Sequence, residues 1–266
     1  MAVDTRPIGV FDSGVGGLTA VRELHKILPG EDIIYFGDIG RVPYGSRSRE
    51  TLRTYASQII GFLRKQDVKA FVVACGSISS NLAEEVLAED IPYVTVLNPA
   101  VHKAAELTKN NRVAIIATAA TIRTGMFETR LKDISSLGIP CPLLVPLIEN
   151  GHIGFMDKIM LPALEMYLQP VKEFGADTLI LGCTHYPLLS DTITSILGDV
   201  TLIDSGACVA HEIKSMIKLS GKDSGGKTTY YVTDSISGFA SNAKIFLGED
   251  ITEKCLQIGL DIIGGY

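Results

Sequence analysis

The chain has 266 residues and is 46% hydrophobic, enough for two modest domains or one large one with a sizeable core. Its net charge of -6 and pI near 5.4 argue against a broad nucleic-acid footprint, and no run of 18 or more apolar residues offers a membrane span. Five cysteines at wide spacing read as reduced thiols rather than a disulfide framework, and the start of the chain lacks the apolar stretch of a signal peptide, so a cytoplasmic protein is expected.

In chain order, apolar runs predict strands at Ile8–Phe11, Ile33–Phe36, Phe71–Ala74, Tyr93–Val96, Val113–Ile116, Leu143–Val145, Leu179–Leu181 and Thr201–Ile203. The runs are continuous rather than alternating, which is the pattern of strands buried on both faces of a parallel sheet. Helices fill the gaps. Leu52, Tyr55, Ile59, Phe62 and Leu63 share one helical face, and Met156 to Phe174 is the longest helical stretch. The alternation predicts an α/β chain with parallel sheets. The strand count is high for one sheet, so two doubly wound domains facing each other across a cleft are expected. Thr229–Val232 and the segment after it must return to one of them. Ser220–Lys227, rich in Gly, Ser and Lys, reads as the most mobile loop.

Two of these strands end alike. Ala70-Phe-Val-Val-Ala-Cys75-Gly-Ser77 and Thr178-Leu-Ile-Leu-Gly-Cys183-Thr-His185 each deliver one thiol to the carboxyl end of a strand, with a hydroxyl residue close behind. Ligands bind at that end in doubly wound sheets. Two thiols from matching half-sites suit acid–base chemistry on both faces of one small molecule, and helix N-termini after strand ends would lower their pKa. Two other readings stand beside this one. Buried core thiols are the commonest fate of free cysteine. Metal binding with His185 is also conceivable, but Cys183-x-His185 is a poor ligand spacing and no further cluster exists. Cys141, Cys208 and Cys255 lack the strand-end setting and read as structural. His25, His102, His152 and His211 sit in helical or loop stretches. His185, two residues past Cys183, is open to either role.

Val10-Phe-Asp12-Ser13-Gly14-Val-Gly16-Gly17 is a strand, a glycine-rich turn and a helix start, a shape that presents N–H groups to an anion. A dinucleotide fingerprint would need glycine where Thr19 stands, which disfavours a dinucleotide-dependent oxidoreductase. Asp12 could hold an ammonium group, or it could simply cap the turn with Ser13. Gly221 to Thr228 matches the P-loop pattern formally. A helical stretch (His211–Leu219) precedes it and a β-rich run follows, the reverse of the required context, so it reads as a solvated loop.

Together with Tyr35-Phe-Gly-Asp38, Arg41-Val-Pro-Tyr44-Gly45, Val145-Pro-Leu-Ile-Glu149, Leu181-Gly-Cys183-Thr-His185-Tyr-Pro-Leu-Leu189 and Leu202-Ile-Asp-Ser-Gly-Ala207, these motifs closely resemble the glutamate racemase family. The resemblance runs from position 8 to 207. It implies two α/β domains related by pseudo-symmetry, residues 1–97 plus 208–266 and residues 98–207, with the active site between them. It implies interconversion of L- and D-glutamate without a cofactor, for peptidoglycan synthesis, by a homodimer with no nucleic-acid or membrane partner. Cys75 would act on D-glutamate and Cys183 on L-glutamate. Asp12 and His185 would assist, and Asp12, Ser13, Tyr44, Gly45, Gly76, Ser77, Thr118, Thr121, Glu149 and Thr184 match positions associated with substrate binding or with assisting the thiols.

One departure stands out. The family motif Ala-Cys-Asn-Thr-Ala is here Ala74-Cys75-Gly76-Ser77-Ile78. Glycine removes a carboxamide expected to touch substrate and would vacate about its volume. Restoring it with Gly76→Asn is expected to raise kcat/KM for glutamate by about tenfold to a hundredfold, the value of a charge-assisted hydrogen bond. The vacated space also admits other readings: a racemase for another amino acid, a weakly active enzyme, or a non-catalytic regulatory relative.

Overall fold

The computed structural model describes residues 3–81, 90–155 and 157–264. Ten strands run in chain order: β1 (Ile8–Asp12), β2 (Ile33–Gly37), β3 (Ala70–Val73), β4 (Tyr93–Thr95), β5 (Arg112–Ala117), β6 (Ser135–Pro140), β7 (Thr178–Leu181), β8 (Thr201–Asp204), β9 (Thr228–Val232) and β10 (Cys255–Gln257). They form two wholly parallel sheets, ordered β10-β9-β2-β1-β3-β4 and β6-β5-β7-β8. The fold is α/β, as the alternation predicts. The last two strands return to the first sheet, where β9 pairs with β2 from Ile33↔Thr228 to Gly37↔Val232.

Both sheets are covered on both sides, which explains the unbroken apolar runs. Successive side chains of a strand point to opposite faces. Val10, Val72, Ile116, Leu179 and Leu181 enter one core that runs through both sheets. Phe11, Phe71 and Val73 enter a second core with Leu52, Ile59, Phe62 and Leu63 of the helix Arg49–Lys65. Val113, Ile115 and Ile180 enter a third. Ser48 opens the Arg49–Lys65 helix by accepting the Thr51 amide on its hydroxyl. Tyr55, expected on the same buried face, is only partly covered and lies under the Arg41 guanidinium. Among the described residues, no helix is long and apolar enough to cross a membrane.

The structure corrects three local expectations. Leu143–Val145 is not a strand, because the helix Leu144–Glu149 occupies that run. A short apolar run is ambiguous between strand and helix. Pro146 falls in the first turn, where the missing N–H costs nothing. The strand is Ser135–Pro140 instead, an edge strand of partly exposed polar and small residues that carries little apolar signal. The helix expected to be longest begins at Met160, since Asp157 Oδ1 accepts the amides of Ile159 and Met160 and so fixes its entry, and with 15 residues it is shorter than the 17-residue Arg49–Lys65 helix; Met156 lies outside the described residues. Ser220–Lys227 is anchored rather than loose. The Ser220 amide donates to Glu31 Oε1 at 2.6 Å, its hydroxyl to the Gly30 carbonyl at 2.8 Å, and the Lys227 amide to Asp32 Oδ1 at 2.9 Å. Glu31 in turn pairs with the buried Lys69 ammonium. The P-loop-like stretch thus runs into β9, with no helix after it.

Candidate active site

The sheet orders place the two thiols equivalently. β3 and β7 are interior strands, and Cys75 and Cys183 each stand two residues past the strand end. Next to β3, β1 ends in Asp12. The Ala74 amide donates to the Phe11 carbonyl at 3.0 Å, so Asp12, Ser13 and Cys75 emerge side by side. The Cys75 thiol points at Ser13 Oγ, 3.7 Å away. In the second sheet, the Gly182 amide donates to the Ile116 carbonyl at 2.8 Å, which sets the Cys183 loop beside Thr118.

Cys183 has an imidazole and a carboxylate behind it. Its sulfur is 3.8 Å from His185 Nδ1, and His185 Nε2 is 2.9 Å from Glu149 Oε1. Burial opposes a charge on this ring. The contacts to Cys183 and Glu149 together outweigh burial and raise the His185 pKa to about 10. Glu149, matched by resemblance to a substrate contact, is thus the partner of His185. The ring also packs edge-on against Phe246.

Cys75 has a different electrostatic setting. Burial, with Asp12 adding to it, pushes this thiol up to about 12, against the expectation that a strand end and helix start lower it. The following helix, Gly76–Asn81, is short, and its amides do not offset the loss of water. The carboxyl of Asp12 is buried as well, and burial raises its pKa. The Gly14 amide, 2.9 Å from Oδ2, and the nearby His185 oppose that rise. Asp12 therefore does cap its turn, and it also lies within electrostatic reach of both half-sites.

Hydroxyls line the rest. Ser77 Oγ is 3.5 Å from Thr118 Oγ1, which is 3.0 Å from Thr121 Oγ1. Thr184 Oγ1 is 3.4 Å from His185 Nδ1. Asp12, Cys75, Ser77, Thr121, Cys183 and His185 are buried, whereas Ser13, Gly45, Thr118, Glu149 and Thr184 are partly open. Tyr44 departs from the pattern. It is 2% exposed, its hydroxyl donates to Asp38, and its ring packs on Tyr55. Asp38 also accepts from Arg41 Nε and Thr233 Oγ1. This anchored network behind the Tyr44-Gly45 turn lay unread in the sequence, because Thr233 is distant in the chain.

The glycine-rich turn serves close approach. A Cβ on Gly16 would lie 2.2 Å from Thr184 Oγ1 and 2.4 Å from His185 Nδ1, so only glycine lets the second half-site seat against the first. Thr19 seals the same contact by donating its hydroxyl to the Thr184 carbonyl at 2.8 Å. Gly76 overturns an expectation. Its side-chain space is not vacant, because the Gly182 carbonyl oxygen fills it, 2.7 Å from where a Cβ would sit. Gly76→Asn is therefore expected to clash and lower activity. Cys141, expected to lack the strand-end setting, in fact directly follows β6, where its amide donates to the Ala117 carbonyl at 2.8 Å and Cys183 lies within electrostatic reach, but its buried thiol donates to the Ile139 carbonyl at 3.5 Å. Cys255 is buried, Cys208 is half-buried, and all five thiols are free. His25 contacts Thr228 and His152 contacts Asp157, neither of them at the site. Among the described residues no group of three or more His, Cys, Asp or Glu side chains is placed to hold a metal.

The chain is similar to known proteins along nearly its whole length. A family model described as Asp/Glu/Hydantoin racemase matches residues 8–213. A glutamate racemase of Thermoanaerobacter pseudethanolicus is 38% identical over 267 residues, covering 97% of this chain and 99% of that protein. One from Persephonella marina is 40% identical over 257 residues, covering 94% and 97%. The crystal structure of glutamate racemase from Francisella tularensis, solved in complex with D-glutamate, superposes with a TM-score of 0.89 at 37% identity, covering 99% of this chain and 100% of that one.

Proposed function

The chain belongs to the Asp/Glu/Hydantoin racemase family, and on that premise we propose that it interconverts L- and D-glutamate by two-thiol proton transfer without a cofactor. The observation that carries the reading is that two equivalent strand-end thiol segments meet, Gly76 after Cys75 lying against the Gly182 carbonyl before Cys183, and that each thiol has its own carboxylate. Cys75 has Asp12 beside it, and Cys183 has Glu149 acting through His185.

In the L-to-D direction, the Cys183 thiolate removes the α-proton of L-glutamate and becomes a thiol. The electron pair of the broken C–H bond delocalises into the α-carboxylate. The Cys75 thiol then gives its proton to the opposite face of the α-carbon and is left as thiolate. Exchange with water resets both sulfurs. The D-to-L direction runs the same steps in reverse. Two bases are needed because a single one tends to return the proton to the face it left. The α-proton is weakly acidic, so donors around the α-carboxylate must stabilise charge that grows in the transition state. The hydroxyls of Ser13, Ser77, Thr118, Thr121 and Thr184 and the turn amides around Gly45 and Gly76 would serve for this. In this reading the His185 charge supports a thiolate at Cys183, and Asp12, within electrostatic reach of Cys75, would take its proton or hold the substrate ammonium.

In this reading residues 1–97 plus 208–266 supply the D-side half and residues 98–207 the L-side half. The protein works as a cytoplasmic homodimer and supplies D-glutamate to peptidoglycan synthesis. The rival reading of a bulkier substrate loses its support, since the space at Gly76 is filled by Gly182.

Circular dichroism of glutamate tests the proposal. Chelator-treated protein with no added cofactor should drive pure L-glutamate and pure D-glutamate to the same zero signal. Loss of activity after chelation that zinc restores would mean the cysteines serve a metal instead.

A further inference from the structure

Gly76 is where the two half-sites meet backbone to backbone. It directly follows Cys75, and the carbonyl it faces belongs to Gly182, which directly precedes Cys183. A Cβ at Gly76 would lie 2.7 Å from that oxygen and 3.6 Å from Thr121 Oγ1. A carbon cannot stay 2.7 Å from a backbone oxygen, so one backbone would have to move.

Neither side can move without taking a thiol with it. Gly182 is tied to β5 by its 2.8 Å amide bond to the Ile116 carbonyl. It is also hemmed from that direction: a Cβ on Gly182 would lie 3.1 Å from both the Ile116 oxygen and the Ala117 Cβ. Its carbonyl can retreat only by shifting the β7 end, and Cys183 with it. On the other side, the Ser79 amide donates to the Cys75 carbonyl at 2.9 Å, and Ser80 Oγ donates to the Gly76 carbonyl at 2.8 Å. These bonds fix Gly76 and Cys75 to one helical turn, so a shift there moves Cys75.

We infer that Gly76 is a positioning residue: its lack of a side chain sets how closely Cys75 and Cys183 approach the same substrate carbon from opposite faces. The inference rests on the racemase reading above and adds a role that neither thiol nor the hydroxyls fill. Inversion requires both sulfurs to reach one carbon at once. Removal of the proton and its return to the same face require only one of them. Widening the gap should therefore damage inversion far more than single-sided exchange.

The test is Gly76→Ala, compared with Gly154→Ala, where a Cβ meets nothing within 4 Å. Alanine keeps the backbone amide and is a better helix former than glycine, so the fold is expected to hold, and far-ultraviolet dichroism with a melting curve checks it. Inversion of glutamate in Gly76→Ala should fall by about a hundredfold in kcat, the cost of a displacement near 1 Å, with KM changed by less than about threefold. Exchange of the α-proton with deuterium oxide without inversion should survive, so that the ratio of exchange to inversion rises at least about tenfold. Gly154→Ala should match the parent protein. Equal inversion rates in Gly76→Ala and the parent would overturn the inference, as would exchange and inversion falling in proportion. A parent protein inert toward glutamate would instead overturn the racemase reading, and this inference with it.

Discussion

Cys75→Ser and Cys183→Ser are each expected to slow racemisation by about 10²–10⁴-fold, the usual worth of a positioned acid or base, while Cys141→Ser, Cys208→Ser and Cys255→Ser stay within a few fold of the parent. A serine hydroxyl is far less acidic than a thiol, so it neither holds an anion nor yields a proton on the same time scale. Enantiomers have equal free energy in water, so each variant must lose L-to-D and D-to-L conversion equally in kcat/KM. The difference between the thiols appears in exchange. In deuterium oxide, Cys75→Ser should still wash the α-proton out of L-glutamate through Cys183 but leave D-glutamate untouched. Cys183→Ser should do the opposite. The asymmetry is expected because the two sulfurs come from the strand ends of different sheets, and the proposed mechanism assigns each of them one face of the substrate. Cys141→Ser proving as damaging as either, or equal exchange of both enantiomers in Cys75→Ser, would refute the assignment.

Glu149→Gln should lower the L-glutamate exchange rate by roughly tenfold to a hundredfold, since a hydrogen bond to a charged group is worth about 1.5–3 kcal/mol. It should leave D-glutamate exchange within a few fold. The pH profile separates this from a packing defect. In the parent protein, His185 holds its proton through neutral pH, because Cys183 and Glu149 together outweigh the burial that opposes its charge, and its pKa stands at about 10. L-side exchange should thus decline only as pH rises through about 10. Removing the Glu149 charge removes one of the influences that raise this pKa. The proton then leaves at lower pH, and the alkaline decline should shift downward. A reduced rate with an unmoved alkaline limb would show that Glu149 acts by packing or by touching substrate, rather than through His185.

Much of the fold was legible because both sheets are buried on both faces. Runs such as Phe71–Ala74 and Leu179–Leu181 have no polar positions to break them, and their ends fall within a residue of β3 and β7. Two of the four edge strands, β6 and β10, were not legible, whereas β4 and β8 were. Ser135–Pro140 needs only one partner strand and is half in water, so its composition resembles a loop, whereas Leu144–Glu149 borders the core and mimics a strand. The positions of the thiols, Asp12 and His185 at or just past strand ends were legible. Their tuning was not. The high thiol pKa at Cys75 comes from burial by residues distant in the chain, and the Glu149–His185 bond joins side chains 36 positions apart. Gly76 shows the limit most clearly. As a letter in a motif it reads as a missing side chain and an empty space. In the fold that space belongs to Gly182 from the opposite half-site.

The most direct test of two-sided transfer is the isotope content of the first product formed in deuterium oxide. L-glutamate carrying protium at the α-carbon is converted for a small fraction of one equilibration, and the enantiomers are separated and weighed. Two thiols acting on opposite faces predict D-glutamate that carries deuterium at the α-carbon, with the remaining L-glutamate still mostly protium. D-glutamate that keeps the original protium in large part would mean that one base carries the proton from face to face, and would contradict the account.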